Sequence, residues 1–536
     1  MQLNEQGLKQ ERAQWEAAGY AIPRYDHAAM VKRTKENPVW LHFGAGNIFR
    51  AFQANVVEQL LNDGELDRGI IAVGGHEAME KLFSPHDNYT ILVTLKADGT
   101  VKKTAVGSVA EALTTDAGYE AHLSRLKEIF RKDSLQMVSF TITEKGYSLV
   151  GNDGNYAKQV AEDLENGPER VGSYMGKITA FLLARYQAGA RPIAMVSMDN
   201  CSHNGTILQQ AVLVYAEAWL KKGYVDAGFV EYLNDPQKVS FPWSMIDKIT
   251  PRPDAQVEAE LEKDNIEELK PIVTERKTFI APFVNAEESQ YLVIEDAFPN
   301  GRPQLEKGGV IFTDRTTVEK VERMKVCTCL NPLHTVLAIY GCLLGFDKIC
   351  QEMKDPTLKK MVEIIGYQEG LPVVTDPGVL DPKEFIDTVV RERLVNPFMP
   401  DTPQRIATDT SKKLAIRFGE TIKAYAASEE LDMKNLHLIP LVFAGWLRYL
   451  MGIDDQGEKM ELSADPLLDM LCPILSSFKL GEKADTSVLK PLLENEEIFG
   501  VNLYKVGMAE KVCGYFEEML EGTGAVRRTL EKYVME

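Results

Sequence analysis

The run Met324-Lys325-Val326-Cys327-Thr328-Cys329-Leu330-Asn331-Pro332-Leu333-His334 sets a lysine, an asparagine and a histidine in apolar sequence that reads as the start of a buried helix. An amine among apolar side chains is disfavoured in its charged form, and its pKa falls. A lysine tuned in this way can act as a base near neutral pH. The asparagine and histidine offer hydrogen-bonding groups that could hold a carbonyl or hydroxyl oxygen in front of it. Cys327 and Cys329 form a C-x-C pair. No second cysteine pair or nearby histidine set completes a four-ligand site, so no metal is expected.

Four further segments carry polar residues in apolar surroundings. Thr141-Ile142-Thr143-Glu144-Lys145-Gly146-Tyr147 and Ser197-Met198-Asp199-Asn200-Cys201-Ser202-His203-Asn204-Gly205 each follow a predicted strand, where α/β sheets present ligand-binding loops. Phe241 to Pro251 is bounded by prolines and holds Asp247 between apolar residues, and Arg405 to Lys413 brings three cations together. Each feature also has a plain structural explanation. Asp199 and Asn200 could cap the next helix, and His203 could be a satisfied structural histidine. Asp247 could pair with Arg252 or Lys248. Lys412 and Lys413 could be a solvated face, and Lys325 could snorkel from a helix end. What favours chemistry is their co-occurrence with the Lys-Asn-His cluster and with a nucleotide signal.

That signal starts at Val39-Trp40-Leu41-His42-Phe43, a short buried strand running into Gly44-Ala45-Gly46-Asn47-Ile48-Phe49-Arg50 and a helical pattern through Leu61. Strand, Gly-x-Gly and helix together make a dinucleotide-binding pattern, in which glycines let the backbone approach a pyrophosphate at the helix N-terminus. Phe49 stands where the usual third glycine would be. A second strand, Ile70 to Val73, ends in Gly74-Gly75, followed by His76 and Glu77. Glu77 could reach an adenosine ribose or be a solvated helix residue. No nearby arginine suggests a clamp for a 2′-phosphate, which favours NAD over NADP.

Further strands are predicted at Tyr89 to Leu95, Met137 to Thr143 and Ile193 to Ser197. Helices such as Ser173 to Tyr186 lie between them, which suggests a βαβ parallel sheet. Residues 207–240 read as helical and 270–300 as short strands and turns. From about 316 long amphipathic segments dominate: 331–353, 355–366, 383–395, 404–427, 435–452 and 505–534. The expected class is therefore α/β. Residues 1–300 form a Rossmann-type dinucleotide-binding domain with an N-terminal helical extension, and 301–536 form a mostly α-helical substrate-binding domain.

The chain has 536 residues, long enough for two or more domains with large cores. Its formal charge of −19 argues against nucleic acid and anionic membranes as partners. The N-terminus lacks the basic start and apolar core of a signal peptide, and no apolar run is expected to span a bilayer. Seven cysteines without framework spacing read as reduced thiols in a cytoplasmic protein.

Taken in order, the segments resemble those of the mannitol dehydrogenase family, the polyol-specific long-chain dehydrogenases. The family's G-x-G-N-F-x-R appears as Gly44 to Arg50, with Ile48 in place of phenylalanine. Its T-E-x-G-Y appears at Thr143 to Tyr147. Its S-C-D-N-x-x-x-N-G appears at Ser197 to Gly205, with Met198 for cysteine. F-P-x-S-M-V-D-R-I matches Phe241 to Ile249, with Ile246 for valine and Lys248 for arginine, and R-I-A-x-D-x-S-x-K matches Arg405 to Lys413. The resemblance implies NAD as cofactor, bound around Gly44, Gly46, Asn47, Ile48 and Glu144. It implies Lys325 as general acid–base, Asn200 and Asn331 holding the reacting oxygen, His334 in the substrate site, and Glu322 linked to proton transfer. Asp247, Arg405 and Lys413 match substrate-contacting positions. A sugar acid or polyol is the implied partner, with reduction of the keto-uronate D-fructuronate to D-mannonate favoured. The tagaturonate/altronate and fructose/mannitol pairs are the alternatives, and a catalytically silent nucleotide- or sugar-acid-binding protein is the alternative of another class. The oligomeric state, monomer or dimer, stays open. One departure stands out: the family places four residues between its lysine and asparagine, whereas Val326 to Leu330 make five here.

Overall fold

The computed structural model describes residues 1–151, 153–275 and 277–535. The chain divides into two compact units, Met1–Lys96 with Thr100–Glu319, and Ala97–Gly99 with Lys320–Glu536.

The first unit is built on a six-stranded parallel sheet. Its strands are β1 (Trp40–Phe43), β2 (Ile70–Gly74), β3 (Val109–Thr114), β4 (Met137–Phe140), β5 (Ile193–Ser197) and β6 (Val239–Ser240). The spatial order is β3-β2-β1-β4-β5-β6, every neighbouring pair parallel. This is the strand order of dinucleotide-binding folds, which reverses beside the first strand. The strands are mostly apolar because both faces are covered. Leu41, Phe43, Ile71, Val138 and Met195 enter one core with Phe130 and Phe181 from the helices Glu120–Phe130 and Tyr174–Gln187. Trp40, Ile70, Ala72, Met137 and Val196 enter the opposite core with Val57 and Leu60 of helix Ala54–Asn62.

Two of the strand assignments change. Thr90–Leu95 is not in the parallel sheet. It pairs antiparallel with Val101–Val106 and parallel with Phe283–Glu287 in a separate four-stranded sheet. The third parallel strand is instead Val109–Thr114, whose sequence Val-Ala-Glu-Ala-Leu-Thr carries no β-branched run strong enough to announce it.

The second unit is helical around one large apolar core. Its helices are shorter than the amphipathic periods predict, because π turns and glycines interrupt them. Residues 404–427 break into Pro403–Ile406, Thr410–Lys412, a π turn at Ala415–Gly419 and Glu420–Ala427. Residues 505–534 break into Ala509–Met519 and Ala525–Met535, with Gly522 and Gly524 at positive φ between them. One helical run is longer than expected. Arg315–Met324, a π turn at Lys325–Cys329 and Asn331–Leu344 join into one helical run of 30 residues, part of which is apolar and long enough to span a bilayer. Its most apolar stretch is 83% buried in the protein, which identifies it as a core helix.

Candidate active site

In the first unit the Gly44–Gly46 loop leaves β1 at the carboxyl edge of the sheet. Gly44 has φ +109°, and a Cβ there would stand 2.1 Å from the Thr141 carbonyl oxygen, so only glycine fits. Beneath the loop, the buried His42 ring hydrogen-bonds the Ser139 Oγ at 2.6 Å and the Thr141 Oγ1 at 2.8 Å. Thr141 Oγ1 in turn donates to the Gly44 carbonyl at 2.8 Å. A Cβ on Gly46 would meet nothing within 4 Å, so the loop is open on that side, and the helix begins at Asn47. Open backbone at a helix N-terminus suits a pyrophosphate.

Asn47 spends its side chain inside the protein. It donates to the Pro251 carbonyl at 3.2 Å and accepts from Arg50 Nη2 at 3.0 Å. Arg50, the arginine of the motif, is 1% exposed and also donates to the Ala281 carbonyl at 2.7 Å. Burial pushes its guanidinium down to about 9. Asn47 and Arg50 thus fix the start of the helix, and Ile48 is half-buried against the same core. Glu77 is engaged within the protein. Its carboxylate is taken by Lys81 Nζ at 2.9 Å and by the Glu275 amide at 2.9 Å.

The loops after β4 and β5 are clipped together by Asp199. Its carboxylate accepts the amides of Ile142 at 3.0 Å and Thr143 at 2.8 Å, and the Tyr147 hydroxyl at 2.6 Å. Thr143, β-branched, is held at φ +63°, a strained conformation that this clip maintains. Burial raises the Asp199 pKa, and the Tyr147 and backbone donors oppose that rise. The capping explanation of Asp199 therefore gives way to a loop-to-loop brace. Asn200 and Glu144, at the tips of the two braced loops, are exposed.

Asn204 explains why two separate motifs travel together. Its Nδ2 donates to the carbonyls of Asp199 at 2.9 Å and Ser244 at 3.0 Å, and its Oδ1 accepts the Ser244 amide at 3.0 Å. A Cβ on the next residue, Gly205, would be 2.4 Å from the Phe241 carbonyl oxygen. The Asn200 loop is thereby locked to strand Ser244–Asp247, which ends in the buried Asp247. Lys248 Nζ donates to the Glu287 carbonyl and Gln290 Oε1, both at 2.8 Å. His203 stacks on Trp243, with ring centroids 4.2 Å apart.

In the second unit Lys325 is 4% exposed and opens the π turn Lys325–Cys329. Leu330 then leaves helical geometry at φ −130°, and Asn331 starts the next helix. Glu322 lies in the preceding helix, Arg315–Met324. The Asn331 carbonyl accepts from Thr335 Oγ1 at 3.0 Å and from Arg417 Nη1 at 3.4 Å, and Arg417 also donates to Thr335 Oγ1 at 2.5 Å. One turn on, His334 Nε2 lies 3.9 Å from Asp401 Oδ2, and the same carboxylate binds Arg405. Asp401 therefore gathers His334 and Arg405, which the sequence separates widely. Lys413 Nζ donates to the carbonyls of Ile406 and Thr408. Burial lowers its pKa, and the Arg417 charge adds to that. Lys413 is half-buried, whereas its neighbour Lys412 is the solvated one. Burial pushes the Cys327 thiol up to about 11, which keeps it protonated and unreactive.

Arg50, Asn204, Asp401 and Arg417 are the site-building residues that sequence reasoning left out. Arg50 and Asn204 lay inside quoted motifs. Asp401 had only the Pro400-Asp401-Thr402-Pro403 turn as a signal, and Arg417 had none.

Residues 39–307 match the mannitol dehydrogenase Rossmann domain, and residues 317–520 match the mannitol dehydrogenase C-terminal domain. The chain is 52% identical to a D-mannonate oxidoreductase of Thermotoga maritima, over 100% of this chain and 99% of that protein. Among solved structures it resembles a D-sorbitol dehydrogenase in substrate-free form, with a TM-score of 0.75 at 25% identity, covering 96% of this chain and 98% of the other. It also resembles a Pseudomonas fluorescens mannitol 2-dehydrogenase solved with NAD and D-mannitol, with a TM-score of 0.68 at 26% identity and full coverage of both chains. With both family domains matched in order and a full-length relative at this identity, the chain belongs to the mannitol dehydrogenase family.

Proposed function

We propose that this chain is an NAD-dependent oxidoreductase that interconverts D-fructuronate and D-mannonate. The observation that carries the reading is the 52% identity to a D-mannonate oxidoreductase along the entire chain. The presence of Lys325, Asn331 and His334 on one helical run supports it. So does the Gly44–Gly46 loop, whose glycine geometry fits a dinucleotide.

In the reductive direction, a dinucleotide held at the Gly44–Gly46 loop would supply the hydride for the keto carbon. Lys325 gives a proton to the oxygen of that carbon, so that ketone, hydride and proton together make the alcohol. The Asn331 amide and the Asn200 amide donate hydrogen bonds to the oxygen as its charge develops. His334 adds a further contact in the substrate site. Glu322, one turn before Lys325, passes the replacement proton to the amine. Arg405 and Lys413 hold the carboxylate end of the sugar acid as charge-assisted donors, and Asp247 accepts from its hydroxyls. Oxidation of the alcohol runs the same steps backwards, with Lys325 as base.

The test is to incubate the purified protein with NADH and, separately, fructuronate, tagaturonate and fructose, following the nicotinamide absorbance. Oxidation of NADH fastest with fructuronate is the expected result. Preference for fructose or tagaturonate would overturn the substrate assignment. Clear NADH binding without turnover on any sugar would point to the silent binding protein instead.

A further inference from the structure

The end of β2 carries no acidic residue of its own. Gly74 and Gly75 close the strand, His76 follows, and Glu77 is turned to Lys81 and the Glu275 amide. In dinucleotide-binding folds this strand end normally supplies the carboxylate that hydrogen-bonds the adenosine ribose hydroxyls and rejects a 2′-phosphate. Here a carboxylate reaches the same place from the neighbouring strand. Asp116, two residues past β3, accepts the His76 backbone amide at 2.8 Å and the His76 Nδ1 at 2.9 Å, both on Oδ2. That oxygen stands 3.8 Å from where a Cβ on Gly75 would be, within the reach of a glutamate side chain carried at position 75.

The placement is built. The Asp116 amide donates to Thr114 Oγ1 at 3.1 Å, and Lys177 Nζ holds the Thr115 carbonyl at 2.7 Å. The His76 ring stacks on Tyr119 with centroids 5.7 Å apart, which fixes the ring that grips the carboxylate. The Asp116 side chain is 25% exposed, so it is anchored yet open to solvent. A carboxylate offers two oxygens and about four acceptor sites, and both His76 donors fall on Oδ2.

We propose that Asp116 is the residue that selects NAD over NADP in this chain, with the carboxylate supplied by β3 in place of the β2 acid. This rests on the NAD-dependent reading above. Two physical effects follow from one group: its oxygens accept from the ribose hydroxyls, and its charge repels a phosphate ester at the same position.

The test reads cofactor binding directly, by nicotinamide fluorescence titration of NADH and NADPH, so it does not depend on which sugar is reduced. Asp116→Ala and the milder Asp116→Asn are each expected to weaken NADH roughly ten- to a hundredfold, the scale of losing hydrogen bonds to a charged group. NADPH should be unchanged or tighter. Glu77→Gln should leave the NADH/NADPH ratio where it was. The double variant Gly75→Glu with Asp116→Ala should regain NADH preference. Gly75 already sits at φ −66°, ψ 148°, which any residue adopts, and the new carboxylate would fill the vacated space. An unchanged ratio in Asp116→Asn, a ratio moved by Glu77→Gln, or no recovery in the double variant would each overturn the proposal. If the wild-type chain bound neither nucleotide, the NAD-dependent reading itself would fail, a result distinct from all of these.

Discussion

The carbonyl of Lys325 accepts the amide of Leu330 at 3.2 Å, five residues on where an α-helix would use four. A π turn is an α-helix with one residue inserted, and this chain has one residue more than its family between the lysine and the asparagine. The insertion is absorbed within Lys325–Cys329, and the helices on either side keep their own geometry. Deleting Val326, the least buried of the five, should therefore convert the π turn to an α turn and leave a folded, active enzyme with a lowered melting temperature. Inserting an alanine after Val326 should instead rotate Lys325 by about 100° against Asn331 and abolish turnover. Steady-state kinetics on both variants decides the point. A folded but inactive deletion variant would show that the π turn itself is required.

Lys325→Ala should reduce turnover by roughly 10²–10⁴, the scale of losing a general acid–base. NADH titration should give a dissociation constant close to the wild type, because the proposed partner of Lys325 is the sugar's oxygen and not the nucleotide. Turnover within a few-fold of normal would remove Lys325 from the chemistry.

Asp401 holds Arg405 and faces His334 across 3.9 Å. Arg405 has a side chain 63% exposed, so its direction depends on this partner. Asp401→Asn should raise KM for the sugar acid by about tenfold or more, the cost of a lost charge-assisted hydrogen bond, while NADH binding holds. An equal fall in kcat with KM unchanged would place Asp401 in the chemical step and not in substrate positioning.

The parts of the fold legible in the sequence were those that repeat a local rule. The buried strand before Gly44-Ala45-Gly46 and the apolar strands Ile70–Gly74 and Ile193–Ser197 were readable because both sheet faces demand continuous apolar residues. Val109–Thr114 was not, since its half-exposed glutamate and alanines resemble a loop or a helix. The register of Thr90–Leu95 was equally hidden, because a short β-rich run does not say which sheet it joins. At the site, motif residues were found, but their partners were not. Nothing local in Asp401 or Arg417 announces that folding brings them to His334 and to the Asn331 carbonyl. Asp199 shows the reverse case: its position before a helix suggested a cap, yet its oxygens went to Ile142, Thr143 and Tyr147.

His42 gives the Gly44 loop a pH dependence of defined sign. The ring is fully buried, and burial pushes its pKa from the ordinary 6.5 down to about 3. Between those values the unfolded chain binds a proton at this residue and the folded chain does not. The stability His42 contributes is therefore present above about 6.5 and is lost as pH falls toward 3. By pH 4.5 the loss amounts to about 3 kcal/mol. His42→Gln removes the titrating group and also disturbs the bonds to Ser139 and Thr141. The variant should accordingly be less stable than the wild type at pH 8, with the difference shrinking as pH falls to 4.5. Chemical unfolding curves of both proteins across that range measure it. A difference that stays constant with pH would mean that His42 is protonated in the folded protein, and that the loop is not held by a neutral ring.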